Sequence, residues 1–153
     1  MTRAEFAKKQ HATGANCAQS IILAYQDLVP VSPKHLFQMA EGFGGGMGQM
    51  QGTCGLLTGL YMIIGLVFSD GNLEKGQTKL QTYEKIRALH DAFRQELGAS
   101  RCFDLLDGEK PSFKKCHEKN DKYQIVCKIF EDLLAKNGIT VPQDSDFLKQ
   151  ETV

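Results

Sequence analysis

The sequence lacks tryptophan, any Cys-x-x-Cys pair and any net charge. Without Cys-x-x-Cys it has neither a thioredoxin-type dithiol nor the usual spacing of a zinc ribbon, and without Cys-x-x-Cys-His it cannot attach a covalent haem. Lys plus Arg equals Asp plus Glu, 18 each, so no basic surface for nucleic acid is expected. The first residues contain no apolar signal segment, and the longest apolar run, residues 56–68, is too short to cross a membrane. We therefore expect a cytoplasmic protein with neither a nucleic-acid nor a membrane partner.

Helical periodicity runs along most of the chain, which predicts an all-α protein. At 153 residues and 42% hydrophobic, the chain is long enough for one domain with a core of its own. We predict a single helical bundle over residues 1–141, followed by a frayed tail at 142–153. The segment at about 54–68 is apolar on every side, which predicts a central helix packed all round. A long amphipathic helix is predicted over 73–97, with its buried face formed by Leu80, Tyr83, Ile86, His90 and Phe93.

Glycine is concentrated immediately before Cys54. A loop this rich in glycine can adopt positive φ angles and bring backbone amides close to a ligand. Thr53 is a plausible N-cap, which would put Cys54 in the first turn of a helix, where the free amides and the dipole stabilise a thiolate. No predicted strand precedes the loop and no Gly-Lys-Ser/Thr follows it, so a nucleotide site is disfavoured. The candidate cofactor-binding glycines are Gly44, Gly45, Gly46, Gly48 and Gly55.

Three of the five cysteines follow a helix-capping residue within two positions. These cysteines are Cys17 after Asn16, Cys54 after Thr53, and Cys102 after Ser100. A helix N-terminus lowers the pKa of a thiol, and thiols of low pKa attack disulfides, oxidise readily or bind metals. The alternative is that cysteine serves here as a small buried hydrophobic residue.

The two remaining cysteines differ in their predicted surroundings. Cys127 lies on the apolar side of a helix predicted over 121–137, where a cysteine is usually part of the core. Cys116 is followed by His117 in a polar, lysine-rich loop. We expect Cys116 to be exposed and dispensable. Because a histidine is adjacent, it is also a candidate metal ligand, ranked below the other cysteines.

Three segments together resemble one known family. They are Asn16-Cys17-Ala18-Gln19-Ser20, the glycine run at 42–48, and Cys54-Gly55-Leu56-Leu57-Thr58-Gly59. Over residues 14–137 the chain resembles the C_GCAxxG_C_C family of redox-active proteins, except that Leu56 replaces the alanine of the family motif. The resemblance implies a helical domain with a cluster of four cysteines, which map to Cys17, Cys54, Cys102 and Cys127, the last preferred over Cys116.

The residues and the resemblance together predict a redox protein. Cys17, Cys54, Cys102 and Cys127 would converge on one site, either as thiol/disulfide pairs or as ligands of an iron–sulfur or zinc centre. In thiol exchange, Cys54 would be the attacking thiolate and Cys17 its resolving partner. A redox partner protein is expected. The family also looks similar to the helical part of split-Soret cytochromes, which are dimeric, so the resemblance leaves a homodimer as an expectation.

Two other classes of function stay open from the sequence. The first is a non-enzymatic carrier of a metal or an iron–sulfur cluster. The second is a helical interaction module in which the cysteines only fill the core. Metal content and thiol reactivity separate these classes from a redox protein, and the sequence does not decide whether the protein is an enzyme.

Overall fold

The computed structural model describes residues 1–149, and over that range it contains eight α-helices and no β-strand. The all-α prediction is therefore confirmed. The helices are α1 (Arg3–Ala12), α2 (Cys17–Leu23), α3 (Pro33–Ala40), α4 (Gly55–Phe68), α5 (Lys79–Leu97), α6 (Cys102–Leu105), α7 (Phe113–His117) and α8 (Lys122–Lys136). Short 3-10 turns lie at Gln26–Leu28, Glu41–Phe43 and Asp146–Lys149.

Polar side chains define where several helices begin. Thr2, Asn16, Ser112 and Asp121 each accept a hydrogen bond from the backbone amide three residues further on. Each bond satisfies an amide that has no partner inside the first turn. The cap at Asn16 makes Cys17 the first residue of α2.

The core is built where α4 packs against α2. Both backbones come close because the face of α4 that meets α2 carries glycine. A Cβ atom on Gly59 would lie 2.5 Å from Cγ2 of Ile21, and one on Gly55 would lie 2.9 Å from the backbone nitrogen of Ala18. No side chain fits in that space, so the two glycines determine how closely the helices pack.

The structure does not confirm that α4 is packed on all sides. Its first half is buried, but Tyr61, Met62 and the last residues, 65–68, are only half-buried. The reason is length, because α4 has 14 residues and α2, against which it packs, has 7. The second half of α4 therefore extends beyond α2.

The prediction for α5 is correct at its C-terminal end and wrong at its start. The helix begins at Lys79 because the side chains of Asp70 and Asn72 accept hydrogen bonds from nearby amides and hold the preceding residues in turns. Leu80 and Tyr83, predicted to be buried, are 70% and 48% exposed, since the first turns of α5 extend beyond the core. Phe93, further along the helix, is buried as predicted.

Residues 142–149 pack onto the bundle, so the expectation of a frayed tail is wrong for them. Leu148 is only 2% exposed. The buried guanidinium of Arg3 donates hydrogen bonds to the carbonyl of Pro142 and to Oγ of Ser145, and it forms an ion pair with Asp27. Residues 150–153 of the predicted tail lie outside the described residues.

Candidate functional site: a cavity lined by four thiols

Four cysteines from distant parts of the chain line one small cavity. They are Cys17, Cys54, Cys102 and Cys116. The cavity has a volume of about 30 Å³, which is room for about two water molecules. Its wall is completed by Gly45, Gly46, Gly55, Leu56, Leu105, Leu106, Pro111, Lys122 and Tyr123.

Backbone hydrogen bonds hold Cys54 and Cys102 on the same wall. Thr53 and Arg101 form an isolated antiparallel bridge. On either side of it, the amide of Cys54 donates to the carbonyl of Ser100 at 2.9 Å and the amide of Cys102 donates to the carbonyl of Gly52 at 2.6 Å. Both cysteines are 7% exposed.

Glycines allow the other walls to approach these cysteines. A Cβ atom on Gly46, whose φ is +73°, would lie 2.8 Å from Cβ of Cys102. A Cβ atom on Gly55 would lie 3.1 Å from Cβ of Cys17. Since no larger residue fits at either position, these glycines bring the cysteine-bearing segments together.

The glycine loop satisfies its own amides. Six successive amides, from Met47 to Gly52, donate to carbonyls of residues 42–47. These bonds are made possible by left-handed φ angles at residues 45–49 and at Gln51. The amides of residues 47–52 are therefore not free to bind a ligand. The loop has a packing role, and a cofactor-binding role for Gly44, Gly45, Gly46, Gly48 and Gly55 stays a prediction.

Cys17 and Cys116 lie where the cavity meets an open groove. Both are half-buried, and both also line a surface groove of about 560 Å³. Among the described residues, Cys54 and Cys102 line the cavity but not the groove. The four thiols thus divide into an outer pair, Cys17 and Cys116, and an inner pair, Cys54 and Cys102.

Burial raises the thiol pKa at the inner pair. It raises the pKa of Cys54 to about 12 and that of Cys102 to about 11. The sequence predicted the opposite, a thiolate stabilised at a helix start. Cys54 is in fact the N-cap residue of α4, outside its first turn. The loss of water around these two thiols outweighs the partial charge of a helix end.

The outer pair contains the one cysteine with a lowered pKa among the described residues. A hydrogen bond with the Cys17 thiol lowers the pKa of Cys116 to about 7, and the positive charge of Lys122 and a hydrogen bond from the backbone of Ser112 act in the same direction. The pKa of Cys17 is raised well above its ordinary value, first by the same hydrogen bond and then by burial. Of the two thiols, Cys116 is therefore the one that loses its proton more readily.

Lys122 places a buried positive charge beside this pair. Its side chain is 5% exposed, and its Nζ donates a hydrogen bond to the carbonyl of Cys116 at 2.8 Å. Among the described residues no carboxylate lies within ion-pair distance of it. A buried cation without a carboxylate favours a thiolate nearby.

Aromatic contacts hold α7, and with it Cys116, in position. The His117 ring stacks on Tyr123 with centroids 5.2 Å apart, and Phe113 packs edge-on against His11. Nδ1 of His11 lies 3.2 Å from Nε2 of His117. Burial, with the nearby His117, lowers the pKa of His11 to about 4, so the His11 ring is uncharged at neutral pH.

The structure does not bring Cys127 to the other predicted cysteines. It is buried inside α8 beside Tyr25, and burial raises its pKa to about 12. Cys116 occupies the fourth place around the cavity, and the expectation that it is exposed is wrong. The missed signal is Ser112, which caps α7 and lies four residues before Cys116. Lys122 was also missed, because its burial depends on packing between distant segments.

Two further features of the described residues bear on the predictions. No group of three or more His, Cys, Asp or Glu side chains within residues 1–149 is arranged to hold a metal ion. Over the same residues, every helix is too short or too polar to cross a membrane.

The fold and the cavity define an all-α protein that brings four thiols together. The model of the family described as "putative redox-active protein (C_GCAxxG_C_C)" matches residues 15–135. The chain belongs to this family. No curated protein and no solved structure matches it.

Proposed function

We propose that this protein is a thiol–disulfide redox protein, with Cys116 as the attacking thiolate and Cys17 as its partner thiol. One observation carries the proposal: Cys17 and Cys116 both line the groove as well as the cavity. In that position the Cys17 thiol and the charge of Lys122 lower the pKa of Cys116 to about 7. A thiol with a pKa near the ambient pH is the most effective nucleophile for thiol–disulfide exchange. Cys54, the attacking residue expected from the sequence, is buried and has a pKa near 12.

The reaction follows from the placement of the pair. The Cys116 thiolate attacks one sulfur of a disulfide in the groove, a mixed disulfide forms, and the other sulfur of that disulfide leaves as a thiolate. Cys17 then attacks Sγ of Cys116, and its proton passes to the second departing sulfur. The partner disulfide is thereby reduced to one thiolate, which takes a proton from solvent, and one thiol, while Cys17 and Cys116 are oxidised to a disulfide.

Alkylation and oxidation of cysteine variants test this assignment. Reduced protein is treated with iodoacetamide at neutral pH, and separately with the neutral disulfide dithiodipyridine, and the modified peptides are identified by mass spectrometry. We expect Cys116 to be alkylated first, and Cys116→Ser to remove the fast reaction with the disulfide. Cys127→Ser is the matched control and should react like the unaltered protein, because Cys127 is buried away from the cavity.

Two results would contradict the assignment. One is a fast reaction that survives Cys116→Ser. The other is stoichiometric zinc or iron that is bound to protein purified anaerobically and protects these thiols from alkylation, since that would identify the protein as a metal carrier.

A further inference from the structure

The inner thiols cannot meet a substrate directly. The cavity that Cys54 and Cys102 line has a volume of about 30 Å³, which admits water and nothing as large as an organic disulfide. The groove of about 560 Å³ is large enough for a peptide segment, but among the described residues the only cysteines that line it are Cys17 and Cys116. Any exchange between the inner thiols and a substrate must therefore pass through the outer pair.

Cys17 is placed to make that connection. On one side it lines the groove together with Cys116. On the other, its Cβ lies against Gly55, the residue next to Cys54, so closely that glycine alone fits there. The bridge at Thr53 and Arg101 in turn holds Cys54 and Cys102 on one wall. Cys17 therefore lies between the groove, which it lines together with Cys116, and the segments that carry Cys54 and Cys102.

We propose that the four cysteines form a disulfide relay that takes a disulfide from a peptide or protein in the groove and stores it on the buried pair Cys54 and Cys102. This inference rests on the proposed function and extends it. The chain would take up two disulfides, and so give four electrons to its substrates, before all four thiols are oxidised. The outer pair would be reduced again once the first disulfide has moved to the inner pair.

The transfer balances without any further oxidant or reductant. Once Cys17 and Cys116 are joined, Cys54 attacks Sγ of Cys17, and Cys116 leaves as a thiolate while the proton of Cys54 passes to solvent. Cys102 then attacks Sγ of Cys54, and Cys17 leaves and takes the proton of Cys102. A disulfide between Cys54 and Cys102 has formed, Cys17 is a thiol again and Cys116 is again a thiolate.

The acidity of the thiols favours this direction. Cys116, with a pKa of about 7, is the best leaving group of the four, and a pair whose reduced form is stabilised as a thiolate is the stronger oxidant. Cys54 and Cys102, with pKa values of about 12 and 11, gain no such stabilisation when reduced. A disulfide is therefore expected to move from the outer to the inner pair.

The test is to oxidise the reduced protein with one equivalent of dithiodipyridine, quench with acid, alkylate all remaining thiols with N-ethylmaleimide in denaturant, and map the tryptic peptides. In the unaltered protein we expect the disulfide on Cys54 and Cys102, with Cys116 alkylated, and a second equivalent should still be consumed. In Cys17→Ser we expect a stable mixed disulfide on Cys116, with Cys54 and Cys102 alkylated as thiols. Cys127→Ser should give the same map and capacity as the unaltered protein.

The outcomes separate the relay from the proposed function. A stable disulfide between Cys17 and Cys116, with the inner thiols still reduced and only one equivalent consumed, would overturn the relay and leave the proposed function intact. An inner disulfide that forms equally fast in Cys17→Ser would also overturn it. No reaction at Cys116 at all would overturn both. The map of the unaltered protein is decisive even if a variant fails to fold.

Discussion

At the residue scale, a thiol's surroundings matter more here than its position on a helix. Cys17, Cys54 and Cys102 all lie at or beside a helix start, which favours a thiolate by about 0.3–1 kcal/mol. Full burial can raise a thiol pKa by about 3–5 units. In free energy, this penalty on the thiolate is several times larger than the stabilisation from a helix start. Cys116 escapes this because a thiol and a buried ammonium stand beside it. Capping residues alone therefore do not predict which thiol is reactive.

The contribution of Lys122 can be measured directly. Lys122→Met removes the buried positive charge that stabilises the Cys116 thiolate, so we expect the pKa of Cys116 to rise from about 7 by roughly one unit. The alkylation rate of Cys116, which rises with pH through its pKa, would then reach its midpoint at a higher pH, with roughly fivefold slower reaction at neutral pH.

Lys128→Met provides the control for this measurement. Lys128 is on the same helix, but it is exposed and pairs with Asp132. The Lys128→Met substitution should leave the pH dependence of Cys116 alkylation unchanged. An equal shift in both variants, or none in Lys122→Met, would mean that the charge of Lys122 does not act on this thiol.

At the element scale, the packing of α4 on α2 depends on glycine. We expect Gly59→Ala to lower the free energy of unfolding by about 1–3 kcal/mol, because the added methyl group would lie 2.5 Å from Cγ2 of Ile21. Gly65→Ala, in the same helix, meets no atom within 4 Å and should stabilise the protein by about 0.5–1 kcal/mol. Urea unfolding followed by circular dichroism measures both, and similar effects of the two substitutions would refute the packing argument.

The sequence predicted elements better than their contacts. Caps and apolar spacing identified the start of α2 and the whole of α8, because those signals lie within the helix that they define. They could not show that Leu80 extends beyond the core, nor decide between Cys116 and Cys127. Both depend on which distant segments pack together, and sequence periodicity contains no such information.

At the scale of the whole molecule, Arg3 ties the two ends of the described chain together. Arg3→Met would leave Asp27 without its partner and remove the hydrogen bonds to residues 142–145. We expect a loss of about 2–4 kcal/mol in stability, together with faster proteolysis after residue 140. Lys149→Met, which removes an exposed ion pair with Asp146, should change stability by less than about 1 kcal/mol. Unchanged proteolysis in Arg3→Met would show that apolar contacts alone hold the segment.

The contact between Cys17 and Cys116 also bears on how the protein withstands peroxide. Peroxide converts a thiolate to a sulfenic acid, and a second oxidation gives a sulfinic acid that is not readily restored. A neighbouring thiol condenses with the sulfenic acid to form a disulfide and releases water. Because Cys17 and Cys116 line the same groove, we expect this condensation to compete with the second oxidation if Cys116 is the reactive thiol that we propose, and the resulting disulfide could be reduced again.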